Sequence, residues 1–322
     1  MGLLDRFQSL FILFSAVVGL LLGQLSWFSV NSEKLIVPFL MVMLIIVFMN
    51  VPLKEMKEAF KDFRFTGLSL GINFIWTPLF AWILGLIFLK DQPDLWVGFL
   101  MLLVTPCTDW YLVFTQMAGG NVPLAGTLLP WHLILQLLLL PVYLLLFAEK
   151  LVPLDLNVLL ESIFLILVIP LLLAVLLVKS ISKLKSKTWL NDVFLPAVMP
   201  GQLIFLCLAI VAMFSSQGKI LLQNPKITLL LLPPLIIFYL FNLFFSIKIS
   251  RIAKIDKVSS IGFCFSTLAR NSPIALAIAV TTFPDRPLIA LALVIGPLIE
   301  LPTMALFVNY FKRKHILTFP DP

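Results

Sequence analysis

The chain has 322 residues, of which 61% are hydrophobic and 12% charged, with a mean hydropathy of +1.09 and a net charge of +7. That balance leaves too little polar surface to cover a soluble globule of this length and marks a polytopic membrane protein. No His-Glu-x-x-His zinc motif, Gly-x-Ser-x-Gly elbow or nucleotide-binding loop occurs, so the composition points away from an enzyme or an ATP-driven pump, and no cofactor is expected.

In chain order, the first apolar run, Gln8 to Phe28, follows Arg6. It is too long for a signal-peptide core and lacks a small-residue cleavage site, so it reads as a retained span. Further spans are expected at Leu35 to Leu53, Thr66 to Leu89, Leu95 to Met117, Pro123 to Phe147 and Val158 to Val178. Phe194 to Phe214, Ile227 to Ile247, Val258 to Phe283 and Leu288 to Phe311 complete an all-α protein of about ten transmembrane helices. With a cytoplasmic N-terminus, sixteen Lys and Arg residues fall in inside loops and six outside, while Arg270 lies within a span. Both termini are therefore expected in the cytoplasm of a bacterial inner or plasma membrane. Anionic lipid of the bilayer is the natural counterpart of the positive charge, and no nucleic-acid partner is needed.

Five spans per half make the halves enter the membrane from opposite sides, so residues 1–150 and 151–322 are expected to be inverted five-helix repeats. The fourth span of each half is interrupted, at Thr105, Pro106, Cys107, Thr108, Asp109 and at Ala269, Arg270, Asn271, Ser272, Pro273. Paired interruptions near the bilayer centre are the sequence mark of a transport site. A Thr or Ser before a proline suits a helix start, so a half-helix is expected from Thr105–Pro106 and from Ser272–Pro273, with Cys107 and Asp109 in the first turn of the former. Ordinary proline kinks and a packing cysteine are the plainer alternative.

Asp109, Arg270 and Glu300 place ionisable groups deep in apolar runs, at a cost of about 2.5 to 3.5 kcal/mol each on insertion scales. Asp109 and Arg270 lie on the two interrupted spans and are candidates for a pair. Glu300, between Pro297 and Pro302, has no obvious partner and is a candidate carrier of a coupling proton. Asn73, His132 and Gln136, with Asn50, Gln202 and Asn242, are candidates for a cavity lining or for hydrogen-bonding glue between helices.

At these residues the chain resembles the bile acid:sodium symporter superfamily and, within it, the arsenite efflux permeases. The resemblance rests on Gly67 to Asn73, on Cys107, on Gln136 with Val142 and Tyr143, on Asn271 with Ala275 to Val280, and on Gly296 to Pro302. It implies a ten-helix inverted-repeat fold in which a panel domain moves against a core domain holding two crossed broken helices. It also implies efflux of trivalent arsenic coupled to protons, with activity associated with the residues matching Cys107 and Glu300. The chain departs from those permeases at the ninth-span break, where Arg270, Asn271, Ser272, Pro273 lack the usual glutamate, and around Cys107, where Asp109 stands and an arginine does not.

Two readings follow. In one, a Cys107 thiolate is a soft, exchangeable ligand for arsenic(III) and Glu300 carries the proton. In the other, Arg270 and the half-helix N-termini, with Thr105, Asn271 and Ser272, hold a small organic anion transported with sodium or protons, and Cys107 merely packs. Asp109 with Asn271 and Thr105 would then rebuild a cation site. Cys207 and Cys264 lie on other spans and read as packing residues.

Overall fold

A backbone surrounded by lipid must satisfy its N–H and C=O groups within its own segment, so apolar runs of this length become helices. In the computed structural model, which describes residues 3–50, 62–108, 110–223 and 225–316, every regular element is helical. Six helices among the described residues are long and apolar enough to cross a bilayer: Phe63–Phe88, Val122–Ala148, Leu156–Leu184, Lys187–Ser216, Leu229–Ile252 and Pro287–Arg313. They coincide with the third, fifth to eighth and tenth expected spans. The protein is an all-α polytopic membrane protein.

Helices Leu3–Leu22 and Glu33–Met49 stand at the first two expected spans. The first ends earlier than Phe28, because Gln24 and Leu25 donate to carbonyls three residues back, at 3.1 and 2.9 Å, and the chain turns into the short helix Ser26–Asn31. The fourth and ninth expected spans are each two short helices: Pro93–Leu103 with Trp110–Met117, and Lys257–Leu268 with Ser272–Thr282.

The described residues fall into two compact units, each drawing on both sequence halves. The first lies within Met1–Val51, Pro153–Thr228 and Pro273–Val294. In it, Leu3–Leu22 and Glu33–Met49 pack on Leu195–Gln223, and Glu33–Met49 also packs on Ile169–Leu184. Gly19 permits the closest approach: a Cβ there would lie 2.6 Å from Phe214 Cβ, and the Ser215 hydroxyl donates to the Gly19 carbonyl at 3.1 Å.

The second unit lies within Pro52–Val152, Leu229–Ser272 and Ile295–Pro322 and holds both interruptions up to Ser272. Lys257–Leu268 packs against Trp110–Met117, Val122–Gly126 and Phe63–Gly71. Short polar side chains start its helices: Asp62 accepts from Phe65 N–H at 3.0 Å, Asn121 from Leu124 N–H at 3.1 Å and Asp256 from Ser259 N–H at 2.9 Å. Helix Trp110–Met117 stops where Gly119 takes a φ of 77°, a left-handed cap that only glycine adopts cheaply.

Within Phe63–Phe88 the turn Ile72–Trp76 is widened to a π turn. Pro78 lacks the N–H that would bond the Phe74 carbonyl four residues back, and the Tyr143 hydroxyl donates to that carbonyl at 2.6 Å in its place. The widened turn carries Asn73, which sits at the centre of the site.

Candidate functional site at the crossing of two broken helices

The two interruptions pair with each other as extended chain. Pro106 and Arg270 form an antiparallel bridge, the Cys107 N–H donates to the Ala269 carbonyl at 3.0 Å, and the Asn271 N–H donates to the Thr105 carbonyl at 2.7 Å. This two-residue ribbon satisfies main-chain groups that a bilayer-depth break would otherwise leave bare.

The ribbon also revises the expected helix start at Thr105. Cys107 lies in the extended stretch before helix Trp110–Met117, not in its first turn. Thr105 ends the incoming helix instead of opening a new one: its hydroxyl donates back to the Met101 and Leu102 carbonyls at 2.9 and 3.1 Å. Pro106 fits because the ribbon asks for no N–H at that position. The second break behaves as expected, with helix Ser272–Thr282 starting at the buried Ser272 and Pro273 following.

Each incoming half-helix ends with four carbonyls that lack a partner in their own helix, and all eight are accounted for. In Pro93–Leu103, the Leu100 carbonyl receives Val104 N–H, those of Met101 and Leu102 receive the Thr105 hydroxyl, and that of Leu103 receives an Arg270 NH1 proton at 2.9 Å. In Lys257–Leu268, the Phe265 carbonyl receives Ala269 N–H and that of Ser266 receives Asn73 Nδ2 at 3.0 Å. The Thr267 carbonyl receives Arg270 NH2, and the Leu268 carbonyl receives Arg270 Nε at 3.0 Å. Arg270 NH2 also donates to Asn73 Oδ1 at 2.9 Å, and the guanidinium lies 5.4 Å from the centre of the Phe238 ring. The arginine is 4% exposed and caps two negative helix ends at once.

Glu300 was expected to lack an obvious partner, and it is hydrogen-bonded through both carboxylate oxygens. Oε1 accepts the Arg270 main-chain N–H at 3.0 Å and Oε2 accepts the Tyr239 hydroxyl at 3.2 Å. Asp109, and with it any pairing to Arg270, lies outside the described residues.

Because an arginine only donates, its bond to Asn73 Oδ1 fixes which amide atom is Nδ2. Nδ2 faces His132 Nε2 at 3.4 Å, so Nε2 is the accepting nitrogen and Nδ1–H donates to the Cys107 carbonyl at 3.0 Å. Cys107 is 3% exposed, and the ring of His132 rests against those of Phe74 and Tyr111. Asn271 Nδ2 donates to the Thr108 hydroxyl at 3.1 Å.

One helical turn beyond His132, on the same face, Gln136 is 1% exposed and neither amide atom has a hydrogen-bond partner. One turn beyond Asn73, the buried Thr77 hydroxyl is likewise without a partner. Thus Thr105, Cys107, Arg270, Asn271, Asn73, His132 and Glu300 meet in one network, whereas Gln136 stands a turn away with unused polar atoms.

Among the described residues no three His, Cys, Asp or Glu side chains gather into a metal-binding cluster, and Cys207 belongs to the first unit. Sequence reasoning missed Tyr239 and Thr77, and named Thr108 only as part of the first break. Their signal was faint: a hydroxyl in a long apolar run barely lowers hydropathy.

The sequence model of the sodium bile acid symporter family matches residues 37–224, more than half of the chain. The chain belongs to the sodium bile acid symporter family. It is 28% identical to the arsenical-resistance protein Acr3 of Corynebacterium glutamicum over 94% of this chain and 86% of that protein. It is 23% identical to the arsenical-resistance protein Acr3 of Alkaliphilus metalliredigens over 97% of this chain and 93% of that one. An uncharacterized transporter of Synechocystis is 24% identical over the whole chain and 92% of its own length. As a member of the sodium bile acid symporter family, the chain is a multi-pass secondary transporter that moves a solute with a coupling ion.

Proposed function

We propose that this transporter exports arsenite or a related trivalent metalloid, in exchange for protons, with Cys107 as the metalloid ligand and Glu300 as the proton carrier. The observation that carries the reading is the engagement of Arg270. Four of its five N–H donors are spent on the Leu103, Thr267 and Leu268 carbonyls and on Asn73. A guanidinium so occupied is a poor receptor for an organic anion, whereas a thiol beside the crossing suits a neutral hydroxylated metalloid. Two relatives carrying the name arsenical-resistance protein support the same solute.

In the proposed step, the Cys107 sulfur attacks arsenic in As(OH)3. One As–O bond breaks as the As–S bond forms, and the thiol proton leaves with the departing hydroxyl as water. Hydrolysis of the As–S bond reverses the step on release. The unused polar atoms of Gln136 and Thr77 suit the remaining hydroxyls. A single soft ligand keeps the bond exchangeable.

Glu300 is suited to coupling because it holds two donors of the crossing, the Arg270 N–H and the Tyr239 hydroxyl. A proton on the carboxyl would turn one accepting oxygen into a donor and loosen the ribbon that it braces. We also assign the halves 1–150 and 151–322 as inverted repeats, since antiparallel pairing of the two breaks is what a twofold in the membrane plane produces, and both termini as cytoplasmic from the bias of lysine and arginine between loops.

The test is arsenite accumulation in an arsenite-sensitive bacterial strain expressing wild type, Cys107→Ser or Glu300→Gln. Wild type should lower cellular arsenite and both variants should not. Unchanged arsenite with wild type at normal membrane levels would refute arsenite export.

A further inference from the structure

Four oxygens converge in the crossing: the Leu103, Thr267 and Leu268 carbonyls and Asn73 Oδ1. The three carbonyls belong to the last turns of two helices, where the backbone dipoles add partial negative charge. Glu300 adds a formal negative charge through the Arg270 main-chain N–H. Carbonyl and amide oxygens gathered around one positive charge are ligands of a hard cation, and the Glu300 carboxylate lies beside them on the Arg270 main chain. In this chain the cation is covalently attached. The Arg270 guanidinium fills the position, its N–H groups 2.9 to 3.0 Å from Leu103, Leu268 and Asn73 oxygens, with its face toward Phe238.

We infer that Arg270 is a tethered cation standing in an oxygen-lined monovalent-cation site, and that it sets the coupling-ion specificity by making the transporter independent of sodium. The physical need is general. Two helix C-termini and a carboxylate meeting at bilayer depth cannot remain without positive charge, since each buried charge without a partner is heavily penalised. A loosely bound metal ion would meet that need only while sodium is present and would leave with the transport cycle. A guanidinium meets it permanently, and its planar fork reaches both helix ends at once, which a point charge on lysine does not. Among the described residues, removing the guanidinium leaves Glu300 as the one formal negative charge of the crossing, which a single monovalent ion neutralises. The inference agrees with the proton coupling proposed above and does not depend on the solute.

The experiment reads cation binding with no arsenite present, so its outcome is separate from the fate of the arsenite reading. Full-length wild type, Arg270→Ala, Arg270→Gln and Arg270→Lys are reconstituted in lipid nanodiscs. Radioactive sodium binding and the thermal unfolding midpoint are measured in sodium chloride and in choline chloride of equal concentration. Wild type and Arg270→Lys should bind no sodium and unfold at the same temperature in both salts. Arg270→Ala and Arg270→Gln should bind sodium saturably and unfold at a lower temperature in choline than in sodium. Folding of these two variants only in sodium would carry the same meaning. Saturable sodium binding by wild type would overturn the inference. So would neutral variants that fold without binding sodium, or that fail to fold in either salt.

Discussion

Asn73→Ala removes the side chain that joins three chain segments at the crossing, and the size of the loss follows from its bonds. Asn73 Oδ1 accepts Arg270 NH2 at 2.9 Å, a bond to a charged donor worth about 1.5 to 3 kcal/mol. Asn73 Nδ2 donates to the Ser266 carbonyl at 3.0 Å, and that neutral bond is worth about 0.5 to 1.5 kcal/mol. Both acceptor and donor stay behind in a site where Asn73 is fully buried, so no solvent repairs them. The expected loss is about 3 kcal/mol, a drop in unfolding midpoint on the order of 5 to 10 °C. Detergent-solubilised wild type and variant, compared by tryptophan fluorescence during heating, measure it. Asn31→Ala serves as control, since Asn31 also bonds a carbonyl, that of Trp27 at 2.9 Å, but on an exposed helix end. If Asn73→Ala unfolds within a degree of Asn31→Ala, the crossing is not held by this network and the role given to Asn73 fails.

Three further outcomes are expected. Gln136→Leu removes a buried amide whose two atoms have no partner, relieving about 1 to 3 kcal/mol of desolvation, so the unfolding midpoint should hold or rise while arsenite export falls; a lower midpoint would show that the amide is satisfied. Thr105→Val deletes the hydroxyl that caps the Met101 and Leu102 carbonyls and should cost about 1 kcal/mol by thermal unfolding, whereas Thr105→Ser should recover most of it. Asp256→Ala removes an exposed N-cap and should cost about 1 kcal/mol near neutral pH. For Asp256, partial burial works against the charged form, but hydrogen bonds from the Ser259 side chain and nearby main-chain N–H groups outweigh it and hold its carboxyl below the usual range. A depressed folded value means that the stabilisation is complete above the unfolded value of about 3.9 and is lost as pH falls through the folded one. The gap between wild type and Asp256→Ala should therefore be flat from about pH 5 to 8 and close below about pH 4, and a gap that widened in acid would contradict the capping geometry.

Much of this architecture is written along the chain because a bilayer rewards one pattern, long apolar runs that bond their own backbone. The six continuous crossing helices could be placed from hydropathy alone, and the two interruptions announced themselves through Pro106, Arg270 and Pro273. Cys107, Arg270 and Glu300 stood out for a related reason: ionisable or reactive groups are expensive in lipid, so each one is conspicuous. What each of them does was a matter of tertiary contact. Thr105 looked like a helix opener, and only the ribbon with Asn271 makes it a helix closer. Glu300 looked solitary until Tyr239, about sixty residues earlier in the chain, and the Arg270 main chain met it, a pairing that no local spacing encodes. Arg270 looked like an anion receptor, and three carbonyls from two separate helices turned it into their cap. Burial and periodicity are local properties that a sequence carries openly, whereas the partner of a buried polar group is chosen by which helix ends the fold brings face to face.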